Sequence, residues 1–196
     1  MSPQVRWTVP NLLSASRIAL APVLLALAFN GQGEPFLWLL AAAFLTDALD
    51  GSIARLTGQV SRFGATLDSW GDVSIYTTVA VAMLLLWPAL LRQEAIAVGA
   101  VVASFALPTL VGVVRFGHFT SYHTLLVKVA AVATALGLFP LLLEISPWPF
   151  RIAAVLAVLA GIEEIVISLL LGRDRADVRG LWVVLRDRRG GVSHDR

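Results

Sequence analysis

The sequence predicts an all-α integral membrane bundle of six transmembrane helices with both termini cytoplasmic. Three observations carry that expectation. First, 58% of the 196 residues are hydrophobic and the mean hydropathy is +0.80. Second, six apolar runs, over 12–30, 35–54, 66–91, 95–114, 122–143 and 149–171, are each close to the length that crosses a bilayer core. Third, the basic residues are one-sided. With the N-terminus inside, thirteen Lys and Arg fall on the inner side and only Arg92 and Arg151 outside. Without the seven arginines of the tail the ratio is still six to two. The expected organisation is a membrane domain over 1–172 followed by a basic cytoplasmic tail over 173–196.

The first span opens on Pro10-Asn11-Leu12-Leu13-Ser14-Ala15-Ser16-Arg17. It is too long, and too polar at its start, for a cleaved signal peptide. Asn11 is a candidate helix cap. Arg17 lies inside an apolar run, where a charge needs a partner. The second span carries Asp47 and Asp50 shortly before it leaves the membrane near Arg55, and a short connection over 57–63 leads to the third, which carries Asp68 and Asp72. Pro88, Pro108 and Pro140 lie inside or near the ends of spans, which membrane helices tolerate better than soluble ones. Arg115, His118, His123 and Lys128 lie near the loop between the fourth and fifth spans. These residues either follow from the positive-inside rule or grip a phosphorylated ligand. Glu163 and Glu164 in the sixth span either pair with a base, line a cavity or meet a second copy of the chain. The tail sets Leu181-Trp182-Val183-Val184-Leu185 among its arginines, which reads as an interfacial patch on anionic lipids and not as a nucleic-acid surface.

Four acids in so apolar a chain need a reason. Asp47 and Asp50 are i,i+3 and Asp68 and Asp72 are i,i+4, so each pair shares a helical face. Two helices joined by a short connection aim all four at one point. Asp47 is eight residues before Arg55, roughly 12 Å along the helix, so the charges form a layer near the inner surface. The chain has no cysteine, which excludes disulfides and thiolate metal sites. An all-oxygen donor set favours Mg²⁺ or Mn²⁺. The acids therefore read as a metal site for an anionic substrate, open to the cytoplasm.

The run Asp47-x-x-Asp50-Gly51-x-x-Ala54-Arg55-x₈-Gly64-x₃-Asp68-x₃-Asp72 resembles the signature of the CDP-alcohol phosphotransferase family, with all eight positions filled across 26 residues. The segment from Pro10 to Arg17 is similar to the opening of the phosphatidylglycerophosphate synthase branch. The resemblance implies a metal-dependent phosphatidyltransferase of phospholipid biosynthesis. A hydroxyl attacks the β-phosphorus of CDP-diacylglycerol and CMP leaves. It also implies Asp47, Asp50, Asp68 and Asp72 as ligands of two ions of Mg²⁺ or Mn²⁺. Asp72 is further implied as the base, a role in tension with metal ligation because a cation lowers its basicity. Gly51, Ala54, Arg55, Gly64, Asn11 and Arg17 become the expected binders of CDP and its diphosphate. Arg115, His123 and Lys128 become those of the acceptor.

Glycerol 3-phosphate is the first expectation for that acceptor, with inositol phosphate or another polyol or amino alcohol as the alternative. Phe119-Thr120-Ser121-Tyr122-His123-Thr124 departs from the glycerophosphate-synthase pattern. Membrane lipids and a second copy of the chain are the further partners the resemblance implies. One lysine beside fourteen arginines points to a GC-rich bacterial source, hence to an inner membrane. A divalent-cation transporter is the alternative from another class. Against it, carriers place their sites at the midplane between repeats, and no internal repeat is evident.

Overall fold

The computed structural model describes residues 8–59, 61–116, 124–171, 181–182 and 186, the side chains of 55, 62, 65 and 116 excepted. Seven helices and no strand occur among the described residues: α1 Val9–Phe29, α2 Gly33–Leu56, α3 Arg62–Leu86, α4 Pro88–Gln93, α5 Ala95–Phe116, α6 Leu125–Leu142 and α7 Trp148–Leu170. All but α4 are long and apolar enough to cross a membrane, which makes this a multi-pass membrane protein. Large side chains such as Trp38, Ile96, Val114 and Leu136 point outward, as they do where lipid replaces water.

The third span is shorter than the hydropathy predicts. It stops at Leu86 because Trp87 precedes Pro88, whose ring disfavours helical backbone at the residue before it. Trp87 has φ −130° and ψ 51°, and Pro88 opens the short α4 in a new direction. The other boundaries follow local chemistry. Thr8, in extended conformation, caps α1 by accepting from the Asn11 N–H at 3.5 Å. Asn11 is therefore not the cap. Gly31 (φ +70°) turns the chain between α1 and α2, and Gly58 (φ +65°) closes α2, with Gln59 N–H donating to the Ala54 carbonyl. Ser61 caps α3 by accepting from the Gly64 N–H at 3.0 Å.

The contacts separate into two units, Met1–Gln93 and Glu94–Arg196. In the first, α1 packs along both α2 and α3, while α2 and α3 barely touch one another. Its core holds Leu24, Phe36, Leu40, Ile75 and Met83, with Phe36 edge-on to Trp87 at 5.9 Å. In the second unit α7 packs between α5 and α6 through small residues, Ala153, Ala154, Ala157, Ala160 and Gly161. The approach is close. A Cβ on Gly137 of α6 would lie 2.9 Å from the backbone of Phe150, and one on Gly161 would lie 2.9 Å from the Ser104 carbonyl oxygen.

Candidate active site

All four aspartates of the first unit meet, and Arg17 of α1 is what they meet on. Its Nη1 donates to Asp47 Oδ1 at 2.5 Å and Asp72 Oδ1 at 2.6 Å. Its Nη2 donates to Asp50 Oδ2 at 2.9 Å and Asp68 Oδ1 at 2.5 Å. Each nitrogen thus joins one acid of α2 to one of α3. That pairing is what antiparallel helices produce, because residues that face each other across the connection descend on one helix as they ascend on the other. Since α2 and α3 make little direct contact, α1 is the wedge that brings their acids together.

The local environment explains how an arginine comes to lie there. Its side chain is 2% exposed. Gly71 of α3 leaves room beside it, since a Cβ there would lie 3.3 Å from Arg17 Cζ and from the Ser14 carbonyl oxygen. Ser14, one turn before Arg17, donates its hydroxyl to Asp50 Oδ2 at 2.7 Å. Asp50 is consequently the enclosed member of the set, its side chain 6% exposed, while those of Asp47, Asp68 and Asp72 are 44%, 47% and 43% exposed. The acids are not helix-end features. No acid lies in the first turn of α3, and α2 continues past Asp50 to Leu56.

The donor set suits a hard divalent ion. Asp47, Asp50 and Asp68 each offer a carboxylate oxygen, and these atoms lie within 4.8 Å of one another. Three carboxylate oxygens so close together are the donors a small, hard divalent cation takes. A cavity with room for roughly one water adjoins it, lined by Arg17, Phe44, Asp47, Asp72, Ile75 and Tyr76. The pattern of CDP-alcohol phosphatidyltransferases matches residues 7–170, which include every one of these groups. The chain belongs to that family.

Relatives of this family member include the CMP-forming cardiolipin synthase of Rattus norvegicus, 42% identical over 78 residues, or 39% of this chain and 26% of that protein. The CDP-diacylglycerol–serine O-phosphatidyltransferase of Helicobacter pylori is 40% identical over 67 residues, covering 34% of this chain and 28% of that protein. A putative cardiolipin synthase of Mycobacterium bovis is 42% identical over 78 residues, 38% of this chain and 36% of that one. The matched stretch spans between a quarter and two fifths of each relative named here. No solved structure matches the chain significantly.

The remaining expected site residues of this family member are distributed as follows. Asn11 is buried against the α3 backbone, and a Cβ on Gly64 would fall 2.5 Å from its Oδ1, so Gly64 is small because Asn11 occupies that space. Gly51 and Ala54 are half-buried along α2. The side chain of Arg55, along with His118 and His123, lies outside the described residues. In the second unit, Arg115 donates to the Leu169 and Leu171 carbonyl oxygens at 3.2 and 3.3 Å, capping the end of α7. Lys128 is exposed on the first turns of α6. Glu163 accepts from Thr124 Oγ1 at 2.8 Å and from the Leu181 N–H at 3.0 Å, tying α7 to the start of α6 and to the tail. Sequence reasoning missed Ser14, Gly71, Phe44 and Tyr76. The one available signal was spacing: Ser14 lies three residues before Arg17 on one helical face, and Tyr76 lies four after Asp72.

Proposed function

We propose that this protein transfers a phosphatidyl group from CDP-diacylglycerol to the hydroxyl of an alcohol, releasing CMP. The observation that carries the reading is the convergence of four aspartates from two helices, at the family's spacing, on one site. The relatives' names support the donor and the leaving group. One is named for CDP-diacylglycerol and another for forming CMP. Their names do not agree on one acceptor or product: one is named for serine as acceptor, others for making cardiolipin.

In this reading Asp47, Asp50, Asp68 and Asp72 hold the divalent ions, Mg²⁺ or Mn²⁺. Once bound, the ions would supply positive charge for the diphosphate and Lewis acidity at phosphorus. Asp72 takes the proton of the attacking hydroxyl. As the new O–P bond forms, the bond from the β-phosphorus to CMP breaks, and CMP departs with the electron pair. Asp72 suits this part because its carboxylate is accessible whereas Asp50 is enclosed by Ser14 and Arg17. Arg55, Gly51, Ala54, Gly64 and Asn11 bind the nucleotide and diphosphate. Glycerol 3-phosphate is the acceptor we place first, with Arg115, His123 and Lys128 as its ligands. The site faces the cytoplasm of a bacterial inner membrane, and the enzyme works as a homodimer.

The test is CMP release by the purified protein with CDP-diacylglycerol and Mg²⁺, across glycerol 3-phosphate, inositol 1-phosphate, inositol, serine, phosphatidylglycerol and no acceptor. Release that requires both metal and one acceptor is expected. Folded protein that releases no CMP with any of them, but passes Mn²⁺ across liposomes, would replace this reading with ion transport.

A further inference from the structure

Arg17 stands where a metal would be expected. One oxygen of each of Asp47, Asp50 and Asp68 already accepts from its guanidinium at 2.5–2.9 Å. A divalent cation at the same focus would face both the loss of those oxygens and the repulsion of a fixed positive charge a few ångströms away.

We propose that Arg17 is the resident counter-ion of the acid site, competing with the divalent cation for the same carboxylates and displaced when the metal binds. The inference rests on the metal-dependent reading above. Three observations support it. Four acids within hydrogen-bond reach of one point would otherwise repel one another, and a single guanidinium spans all four. Among the described residues the buried Arg17 Nε has no hydrogen-bond partner, so the fork end of the side chain is what is held, and the acids hold it. The small adjoining cavity, lined by Arg17 itself with Phe44, Ile75 and Tyr76, leaves the fork loosely packed on that side while its stem stays on α1.

The charge balance fits the same role. With Arg17 present, four ionised carboxylates leave three net negative charges, which attract metal. With two divalent ions added, the site has one net positive charge, which suits an incoming diphosphate. A displaced guanidinium is then available to that diphosphate. Arg17 thus keeps the metal-free protein folded and sets how tightly metal is held.

The experiment is Mn²⁺ binding by electron paramagnetic resonance, together with melting in EDTA, on the full-length protein in detergent. Arg17→Gln should bind Mn²⁺ about tenfold tighter, or more, than the wild type. It should melt lower in EDTA and recover when Mn²⁺ is added. Millimolar methylguanidinium should raise its melting temperature in EDTA and weaken its Mn²⁺ binding, with neither effect on the wild type. Arg17→Lys keeps the charge without the fork, should fall between the two in affinity, and decides the matter if Arg17→Gln does not fold. Equal or weaker Mn²⁺ binding in the variants overturns the competition and leaves the metal-dependent reading standing. Absence of Mn²⁺ binding in every form overturns both.

Discussion

Asp72 shares Arg17 Nη1 with Asp47, yet its side chain remains 43% exposed, so the carboxylate is both held in place and reachable. Asp72→Asn keeps the shape and removes the basicity. It should lower CMP release by about 10²–10⁴-fold, the usual worth of a general base, while competition assays show CDP-lipid binding largely intact. Near-normal turnover would remove Asp72 from that role. The acids themselves were readable in the sequence because i,i+3 and i,i+4 spacing fixes a shared face whatever the packing. The arginine at their centre was readable as a charge in need of a partner and, by resemblance, as a binder of the diphosphate, but not as the partner of the four acids. Which partner it finds depends on how α1 is rotated against α2 and α3, and on Gly71, and neither leaves a periodic mark. Ser14 was hidden for the same reason: a lone serine in an apolar helix usually bonds within its own helix.

Among the elements, α7 is placed by small residues, and their smallness is testable. Gly137→Ala puts a Cβ 2.9 Å from the Phe150 backbone, so α6 and α7 must move apart. A destabilisation of about 1–3 kcal/mol is expected, seen as a lower melting temperature. Gly99→Ala, where a Cβ meets nothing within 4 Å, is the control and should be neutral or slightly stabilising. At the start of α5, Glu94 is buried and accepts from Arg151 Nε at 2.9 Å and Nη2 at 2.7 Å, and Arg151 lies over the Trp148 ring. The Arg151 hydrogen bonds hold the Glu94 carboxyl below its ordinary range. A lowered folded-state value means that this stabilisation is full above the unfolded value and is lost as pH falls through the folded one. Glu94→Gln should therefore melt below the wild type near neutrality, with the gap closing below about pH 4. A gap independent of pH would show that packing, not charge, is lost. Six spans were legible from hydropathy, but the break at Trp87 was not, since an apolar scale registers side chains and is blind to what Pro88 does to backbone.

At the scale of the whole molecule, orientation is the expectation to test, and the absence of cysteine makes it simple. Single cysteines at Gln32 and Ser146 should react with an impermeant thiol reagent from outside intact cells, and one at Gln59 only after the membrane is opened. The opposite pattern would invert the topology and move the acid site to the other face. The division of Glu163 between Thr124 and the Leu181 N–H belongs to this scale too, because it ties Leu181 and the start of α6 to α7. The wedge position of α1 reaches back to biosynthesis. Arg17 leaves the ribosome 30 residues before Asp47 and 51 before Asp68, so for that interval it has no counter-ion. Lone insertion of an arginine costs about 2.5–3.5 kcal/mol at a helix centre. Entry of α1 and α2 together, as a hairpin about the turn at Gly31, would lower that barrier by pairing Arg17 with Asp47 and Asp50. Chains truncated after residue 59, carrying a polar C-terminal linker long enough to clear the ribosome, should accordingly integrate more completely than chains truncated after residue 32 with the same linker, and Asp47→Ala with Asp50→Ala should erase the difference.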